Sequence, residues 1–293
     1  MTVLLIGGNG QLGLCLQREL KHSKYPYVVK SSEELNITDS NAINICVQEI
    51  SPTAIINASA FTNVDQCEIS KDLAMNVNKD GTKNLAKVCK DKNIPLIHIS
   101  TDYVFDGISS KPYLPEDSVN PATIYGMSKL AGEVEILDHC KTYMIIRTSW
   151  LFSEFGKNFL KTILKLGQER EYIEVVADQI GTPTYAGDLA KVILVALPFL
   201  SENKNASGIY HYAGDHPCSW YEFATSILDS ALAVGYVLEA PTIKPVATSS
   251  YPTLAPRPSY SALDSSKFCN LLNVNPSNWK ARLENVIINS MTN

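Results

Sequence analysis

The chain has 293 residues, 45% of them hydrophobic, and a formal net charge of −5 at pH 7. This length allows one large domain, or a large domain with a smaller one, around a substantial core. No run of about 18 apolar residues occurs, so no membrane-spanning helix is predicted. The mildly acidic charge, without basic blocks, argues against nucleic acid as a partner but does not exclude a small anionic ligand.

The cysteines and the N-terminus indicate the compartment. Seven cysteines are scattered along the chain, without a C-x-x-C pair or a zinc-finger spacing of histidines. The sequence therefore predicts neither a disulfide framework nor a bound metal. Reduced thiols are typical of cytoplasmic proteins, so we expect a cytoplasmic protein. The sequence leaves the oligomeric state, monomer or homodimer, open. The N-terminal "MTVLLIGGNGQLG" lacks a basic leader and is interpreted as a buried strand, not a signal peptide.

Short apolar runs alternate with amphipathic ones through the first half of the chain. Helical spacing is clearest in the stripe formed by Leu12, Cys15, Leu16 and Leu20. An alternation of strand and helix predicts right-handed crossovers and a parallel sheet covered on both faces. The predicted strands are short apolar runs bounded by turn or polar residues, at 2–7, 27–29, 53–59, 94–100 and 142–149.

After about residue 150 this alternation loosens, and the loops become longer and richer in proline. The expected fold class is α/β, a Rossmann-like doubly wound parallel sheet with a smaller C-terminal substrate lobe. We expect residues 1–150 to form the dinucleotide-binding domain and 151–293 to form mainly the substrate-binding lobe, with some segments returning to the sheet. Helices in this second half are predicted near 157–169, 185–199, 220–233 and 279–290.

The stretch "IGGNGQLG" lies between the first predicted strand and the first predicted helix. Its glycines fit two spacings of a dinucleotide-binding loop, one using Gly7, Gly10 and Gly13 and the other starting at Gly8. Glycine permits a tight turn and a close approach to a pyrophosphate, while the helix N-terminus offers free N–H groups. An ordinary tight turn is the alternative, but the position at a strand–helix junction favours a dinucleotide. No Lys-Ser/Thr pair follows, which disfavours a nucleoside-triphosphate loop.

The end of the second predicted strand bears on the choice of cofactor. "VVKSSEELNITD" places Lys30, Ser31 and Ser32 before Glu33 and Glu34. An acidic residue at this point bonds the 2′-hydroxyl of NAD, whereas cationic or hydroxyl side chains accommodate a 2′-phosphate. We therefore expect NADPH, with NADH as the alternative.

"PATIYGMSKLAGE" places Tyr125 and Lys129 four residues apart at a predicted helix start. Such residues share one helix face, and an ammonium lowers the pKa of a neighbouring phenol. "HISTDYVFDG" adds Ser100 and Thr101 at the carboxyl end of the fourth predicted strand, where a hydroxyl can bond a reacting carbonyl oxygen. Each piece alone is explained by a helix start or a turn. The order of glycine loop, strand-end hydroxyl and Tyr-x-x-x-Lys favours an acid/base site.

With these motifs the chain resembles the extended short-chain dehydrogenase/reductases, and within them the dTDP-4-dehydrorhamnose reductase family. The resemblance runs nearly end to end, through "LLIGGNGQLG", "AIINASAFTNVDQCE", "ISTDYVFDG", "IYGMSKLAGE" and "GIYHYAG". The segments "IIRTSWLF", "VVADQIGTPT" and "YPTLAPRPSYSALD" point to this branch. This resemblance implies an enzyme that reduces the C4 ketone of dTDP-4-dehydro-6-deoxy-L-mannose to dTDP-L-rhamnose, a precursor of cell-surface polysaccharide.

The resemblance also implies roles for individual positions. Thr101, Tyr125 and Lys129 would be the catalytic triad. The sugar nucleotide would contact Thr101, Asp102, Val104 and Trp150, with Arg257 at its diphosphate. The cofactor would be bound by Gly7, Gly10, Gln11, Leu12, Gly13, Lys30, Asn36, Ile37, Ala58, Ala60 and Thr62, together with Tyr125 and Lys129.

Several alternatives are left open. One is another nucleotide-sugar 4-ketoreductase or an epimerase, for example one giving a talose product, because sequence does not determine the face of hydride attack. Another is a non-catalytic NADP-binding regulatory subunit resembling methionine adenosyltransferase β, against which the intact triad counts. At single positions, the alternatives to the favoured ligand roles are a core tryptophan for Trp150 and a surface charge for Arg257. His98 is expected to be a core histidine without a catalytic role.

Overall fold

The computed structural model describes residues 1–291 of the chain. These residues contain twelve β-strands and a central parallel sheet. Six of the strands form the central sheet, in the order β2-β1-β3-β4-β5-β10, and all its pairings are parallel. The strands are β1 (Val3–Ile6), β2 (Tyr27–Lys30), β3 (Ala54–Asn57), β4 (Leu96–Thr101), β5 (Tyr143–Thr148), β6 (Leu151–Phe152), β7 (Tyr172–Val176), β8 (Ile180–Gly181), β9 (Thr184–Tyr185), β10 (Gly208–His211), β11 (Cys218–Ser219) and β12 (Thr242–Val246).

Helices cover both faces of this sheet. A π-helical turn (Asn76–Gly81) runs into α5, and a short 3₁₀-helix (Asp102–Val104) follows β4. None of the helices in residues 1–291 is long and apolar enough to cross a membrane. The helices are α1 (Gln11–Lys21), α2 (Ser40–Ile50), α3 (Val64–Ile69), α4 (Lys71–Met75), α5 (Thr82–Lys92), α6 (Ile124–His139), α7 (Phe159–Glu169), α8 (Ala186–Glu202), α9 (Trp220–Ala233), α10 (Ser266–Leu272) and α11 (Trp279–Ser290).

Strand β1 lies inside the sheet and pairs with two neighbours. Leu5 lies opposite Val29 of β2 on one side and Ile56 of β3 on the other. The chain therefore leaves β1 in one direction and returns to its other side for β3. This reversal of strand order falls beside the loop that follows β1, which is where sheets of this kind bind their ligands.

The expected α/β fold is confirmed, and the five predicted strands agree with β1 to β5 within two residues at each end. Strands β1 and β3 are buried along their whole length, as near-continuous apolar runs indicate for a sheet covered on both faces. The sixth strand, β10, was not predicted. It has only four residues, and its pairing with β5 joins segments far apart in sequence, such as Ile209 and Ile145.

The C-terminal half contains a second hydrophobic core, formed by α7, α9, α11 and the parallel pair of β7 and β12. Phe152, Phe223 and Trp279 are fully buried in it. Helix α8 instead contributes Leu189 and Ile193 to the core beside α1 and the central sheet. Segments of the second half thus return to the sheet, while the boundary at residue 150 stays a prediction.

Candidate active site

The loop after β1 is shaped by backbone contacts that leave no room for side chains. Gly7 has φ +87°, and a Cβ there would lie 2.6 Å from the Ser59 nitrogen. A Cβ on Gly13 would lie 2.2 Å from the Gly7 carbonyl oxygen. These two glycines therefore allow α1 to begin directly against the ends of β1 and β3.

The N-terminus of α1 is suited to a phosphate group. Gly10 is its N-cap residue without any side-chain cap, and the first turn carries no acidic residue. Unpaired N–H groups and the positive end of the helix dipole face the same side. Gln11 accepts a hydrogen bond of 2.6 Å from Asn158, which joins this turn to the C-terminal lobe. Leu12 is buried in the core, so its contribution to a ligand site is through its backbone.

The residues predicted at the adenine end lie beyond β2. Lys30, the last residue of β2, is half-buried, and its carbonyl oxygen accepts hydrogen bonds from the N–H groups of Gly7 and Gly8. Asn36 is exposed, with its side chain bonded to Thr38. Ile37 is buried, and a Cβ on Gly81 would lie 2.6 Å from it. The side chains of Lys30 and Asn36 therefore remain accessible at the predicted adenine end, whereas the buried Ile37 would form the floor of such a site.

Ser31 is more constrained than the sequence suggested. It is buried, its N–H donates to the Glu34 carboxylate at 2.8 Å, and its hydroxyl accepts from the Glu34 N–H at 3.3 Å. The hydrogen bond that the Ser31 N–H donates to the carboxylate lowers the pKa of Glu34. Ser32, which is exposed, is the hydroxyl left free to approach a 2′-phosphate.

The segment after β3 holds the positions predicted at the nicotinamide. The Ala58 N–H donates to the Ile6 carbonyl at 2.9 Å, which continues the pairing of β3 with β1. Between Ala60 and Thr62, the backbone of Phe61 is held by Asn78 through an N–H donated at 2.8 Å and a carbonyl that accepts at 3.0 Å. Asn78 belongs to the π-helical turn, a distortion that is frequent at functional sites.

Thr101 ends β4 at the carboxyl edge of the sheet. Its hydroxyl donates to the Asp102 carboxylate at 2.9 Å and accepts from the Tyr103 N–H at 3.2 Å. Among the residues that the structure describes, the second oxygen of Asp102 is buried without a hydrogen-bond partner, and so is the hydroxyl of Ser261. Burial raises the pKa of Asp102 to about 6, against the lowering effect of the hydrogen bond from the Thr101 hydroxyl.

Tyr125 is the second residue of α6, whose N-cap residue Thr123 accepts a hydrogen bond from Gly126. Its half-buried ring meets the ring of Tyr103 edge to face, with 5.6 Å between centroids. Burial raises the pKa of Tyr125, and the Thr101 hydroxyl lowers it. The tyrosine and the strand-end threonine are thus brought together, as predicted. The net direction of the pKa shift is opposite to the lowering that the Tyr-x-x-x-Lys spacing suggested, because burial outweighs the opposing effects.

Lys129 is buried one turn further along α6. Its side-chain nitrogen lies 2.7 Å from the Ile99 carbonyl oxygen and 3.2 Å from His98 Nε2. Burial lowers the pKa of Lys129 to about 8, while Glu133 opposes that effect. His98 is a buried residue of β4, as expected of a core histidine, and it is also in direct contact with a predicted catalytic residue.

Arg257 lies in the loop after β12 and lines a cavity of about 330 Å³ in the C-terminal lobe. It donates to the Asp65 carboxylate at 2.5 Å and to the Tyr103 hydroxyl at 3.2 Å. The cavity wall also includes Phe159 and Trp220, so a cation adjoins aromatic faces. Tyr103, Asp65, Phe159 and Trp220 were not predicted as site residues. Trp220, the second residue of the Ser219–Glu222 capping box, carries only the signal of a helix start.

Two predicted sugar contacts have packed surroundings. The Trp150 ring is stacked on Trp220, 3.4 Å between centroids, and a Cβ on Gly181 would lie 2.3 Å from it. Trp150 also has φ +45°, a strained value for a bulky residue that is often associated with function. Val104 is fully buried beside Phe105, so contact with a sugar would require movement of this segment.

The glycine loop at the switch point of a parallel sheet, with a Tyr-x-x-x-Lys helix beside a strand-end threonine, defines an extended short-chain dehydrogenase/reductase. A family model described as the RmlD substrate binding domain matches residues 1–292, and the chain belongs to that family. It is 40% identical over 286 residues to a dTDP-4-dehydrorhamnose reductase of Aggregatibacter actinomycetemcomitans, with 97% of each chain covered.

Solved structures give the same result. The crystal structure of a dTDP-4-dehydrorhamnose reductase from Clostridium acetobutylicum superposes with a TM-score of 0.90 at 36% identity, covering 98% of this chain and 99% of that one. The enzyme of the same name from Bacillus anthracis, solved in complex with NADP, has a TM-score of 0.89 at 39% identity and 98% coverage of both chains.

Proposed function

We propose that this protein is an NADPH-dependent oxidoreductase that reduces the C4 ketone of dTDP-4-dehydro-6-deoxy-L-mannose to dTDP-L-rhamnose. The observation that carries the proposal is the match to dTDP-4-dehydrorhamnose reductases over nearly the whole chain. Tyr125 and Lys129, on the helix beside Thr101, supply the acid/base groups that this reaction requires. The product is a precursor of cell-surface polysaccharide.

The residues of the glycine loop fit a dinucleotide. Gly7 and Gly13 leave no space for a Cβ, and the uncapped start of α1 presents free N–H groups to a pyrophosphate. Lys30 and Ser32, near the end of β2, favour a 2′-phosphate, and the related Bacillus anthracis structure holds NADP. When bound, the cofactor supplies the hydride for the reduction.

The protein supplies the proton and the geometry. As the C4 ketone is reduced, negative charge develops on its oxygen, and Tyr125 donates a proton there. The Thr101 hydroxyl, held between Asp102 and the Tyr103 N–H, is placed to orient that oxygen. Lys129 in its protonated form stabilises the phenolate that forms on Tyr125 once its proton has been donated. It also anchors the cofactor ribose.

The sugar nucleotide would occupy the cavity beside Arg257. A guanidinium suits the diphosphate, and the aromatic faces of Phe159 and Trp220 suit a planar base. This placement leaves the sugar between Arg257 and Tyr125, with Tyr103 in contact with both. We further propose a cytoplasmic enzyme that acts as a monomer or homodimer.

The test is the absorbance of NADPH at 340 nm in the presence of the keto sugar nucleotide. Substrate-dependent oxidation is expected, faster with NADPH than with NADH. Tight binding of NADPH without turnover would instead support a regulatory subunit. NMR of the product distinguishes dTDP-L-rhamnose from the talose product of a sister 4-ketoreductase, and isomerisation without net NADPH consumption would indicate an epimerase.

A further inference from the structure

His98 is a fully buried imidazole placed between two polar side chains. Its Nδ1 lies 3.0 Å from Asn57 Nδ2, and its Nε2 lies 3.2 Å from Lys129 Nζ. No solvent reaches the ring, so these neighbours determine which ring nitrogen carries the hydrogen. The tautomer of the His98 ring therefore bears on whether Lys129 is protonated.

The orientation of the Asn57 amide is fixed by Ser59. The Ser59 N–H donates to Asn57 Oδ1 at 3.1 Å, and the Ser59 hydroxyl donates to the same oxygen at 2.6 Å. A backbone N–H can only donate, so rotating the amide would bring two N–H groups together. Asn57 Nδ2 is consequently the group that faces His98, and it acts as the donor.

Because His98 Nδ1 accepts that hydrogen bond, the neutral ring carries its hydrogen on Nε2. This N–H points at Lys129 Nζ. An ammonium has no lone pair with which to accept it, whereas a neutral amine accepts from His98 and still donates to the Ile99 carbonyl oxygen at 2.7 Å. All four groups are satisfied together only when Lys129 is unprotonated.

We propose that Asn57 and His98 form a positioning pair, which presents an imidazole N–H to Lys129 and favours its neutral amine before the cofactor and substrate bind. His98 does not relay protons in this scheme, since loss of the Nε2 hydrogen would leave an imidazolate. Its role is to place the Lys129 nitrogen and to set the pH above which the lysine no longer assists Tyr125.

The surrounding charges agree with this role. Burial holds the pKa of His98 well below its usual range, so the ring stays neutral even beside an uncharged Lys129. On α6, Glu133 raises the pKa of Lys129, but that carboxylate is shared with Ser100 and with Arg147 of β5. Further titratable or charged groups at the site are Tyr125 on α6, Asp102 and Tyr103 after β4, and the pair of Arg257 and Asp65.

The tautomer can be measured directly in the wild-type protein. Histidine labelled with ¹⁵N gives long-range ¹H–¹⁵N spectra that distinguish Nδ1–H from Nε2–H, and His98→Gln identifies the His98 signals among the five histidines. We expect an unprotonated Nδ1 and a protonated Nε2 between pH 6 and 9. An Nδ1–H tautomer or an imidazolium in that range would overturn the proposal.

The kinetic test rests on the proposed function and uses the pH dependence of kcat/KM for NADPH, which reports the ionisations of the enzyme before its ligands bind. Wild-type activity should fall above a pH of about 8. In His98→Leu, which lacks the N–H, this alkaline limb should move up by about one pH unit, the effect of one hydrogen bond. His98→Gln keeps an N–H that can replace Nε2–H, so its limb should stay near that of the wild type. An unmoved limb in a folded His98→Leu contradicts the proposal.

The control is His211→Leu, which removes another buried histidine, one whose ring bonds the Tyr113 carbonyl oxygen. The alkaline limb of this variant should match that of the wild type. A shift equal to that of His98→Leu would mean that loss of any buried histidine has this effect, and it would count against the proposal. If the wild type does not reduce the keto sugar at all, the proposed function is wrong, while the tautomer measurement still decides this proposal.

Discussion

Asp65, on helix α3, holds Arg257 through a contact of 2.5 Å between a carboxylate oxygen and Nη2. Its other oxygen accepts the Ala255 N–H at 3.0 Å, so one carboxylate fixes both the side chain and the backbone of the loop that carries the arginine. Asp65 follows the predicted nicotinamide segment closely in sequence. It therefore connects the cofactor side of the site to the side proposed for the sugar nucleotide.

Arg257→Met should weaken binding of dTDP by about 10- to 100-fold, as expected for loss of a charge-assisted hydrogen bond. Asp65→Asn should weaken it by a smaller factor, because the amide still accepts from Ala255 but no longer pairs with the guanidinium. The double variant should bind dTDP no more weakly than Arg257→Met alone, since Asp65 acts through the arginine. Calorimetric titration with dTDP measures all three.

The control for the loss of an ion pair is Glu116→Gln, which breaks the exposed contact with Lys267. It should leave dTDP binding unchanged. Independent, additive losses in the Asp65→Asn and Arg257→Met pair would show that the carboxylate does not act through the arginine.

Replacement of Tyr125 by Phe removes the proposed general acid and little else. We expect kcat to fall by about 10²- to 10⁴-fold, with the affinity for NADPH nearly unchanged. Stopped-flow turnover with the keto sugar nucleotide and a fluorescence titration with NADPH separate the two effects. Full turnover in this variant would exclude Tyr125 as the proton donor.

Gly10 and Gly13 offer a matched pair of tests in the loop. A Cβ on Gly10 would lie 3.4 Å from its nearest neighbour, the Gly7 carbonyl oxygen, whereas one on Gly13 would lie 2.2 Å from the same atom. Gly10→Ala should therefore fold normally but bind NADPH more weakly, because its methyl group occupies the path to the helix N-terminus. Gly13→Ala should also lower the melting temperature. Gly208→Ala, with only ordinary contacts in β10, is the control for a glycine substitution.

Local sequence patterns sufficed for most of the fold. Strands β1 to β5 are short apolar runs that end at turn residues, and the α1 stripe through Leu12, Leu16 and Leu20 is buried as its spacing predicts. The glycine loop and the Tyr125–Lys129 helix were found in the same way, because each motif lies within a single segment. Strand β10 was missed because its pairing with β5 depends on residues more than 60 positions away.

What sequence could not reveal at the site is mostly contact between distant segments. Asn78 bonds Ser128, 50 residues away, and supports the Phe61 backbone, yet within its own helix it is only a polar residue. His98 is contacted by Asn57, 41 residues away. The direction of the Tyr125 pKa shift depends on burial in the folded chain, which the four-residue spacing to a lysine does not encode.

Asp102 gives a prediction for stability, because its carboxyl group is buried and one of its oxygens has no hydrogen-bond partner within residues 1–291. Its pKa is raised from 3.8 to about 6 in the folded chain, so the native state binds the proton more tightly than the unfolded state. Stability should therefore decrease as the pH rises between these two values, and ionisation should cost on the order of 2–3 kcal/mol above them.

Asp102→Asn, which cannot ionise and keeps an oxygen for the Thr101 hydroxyl, should remove that cost. Urea unfolding at pH 3.5 and pH 7.5 measures it: the variant should exceed the wild type in free energy of unfolding at pH 7.5, and by much less at pH 3.5. An equal difference at both values would mean that the carboxyl group does not titrate in this range.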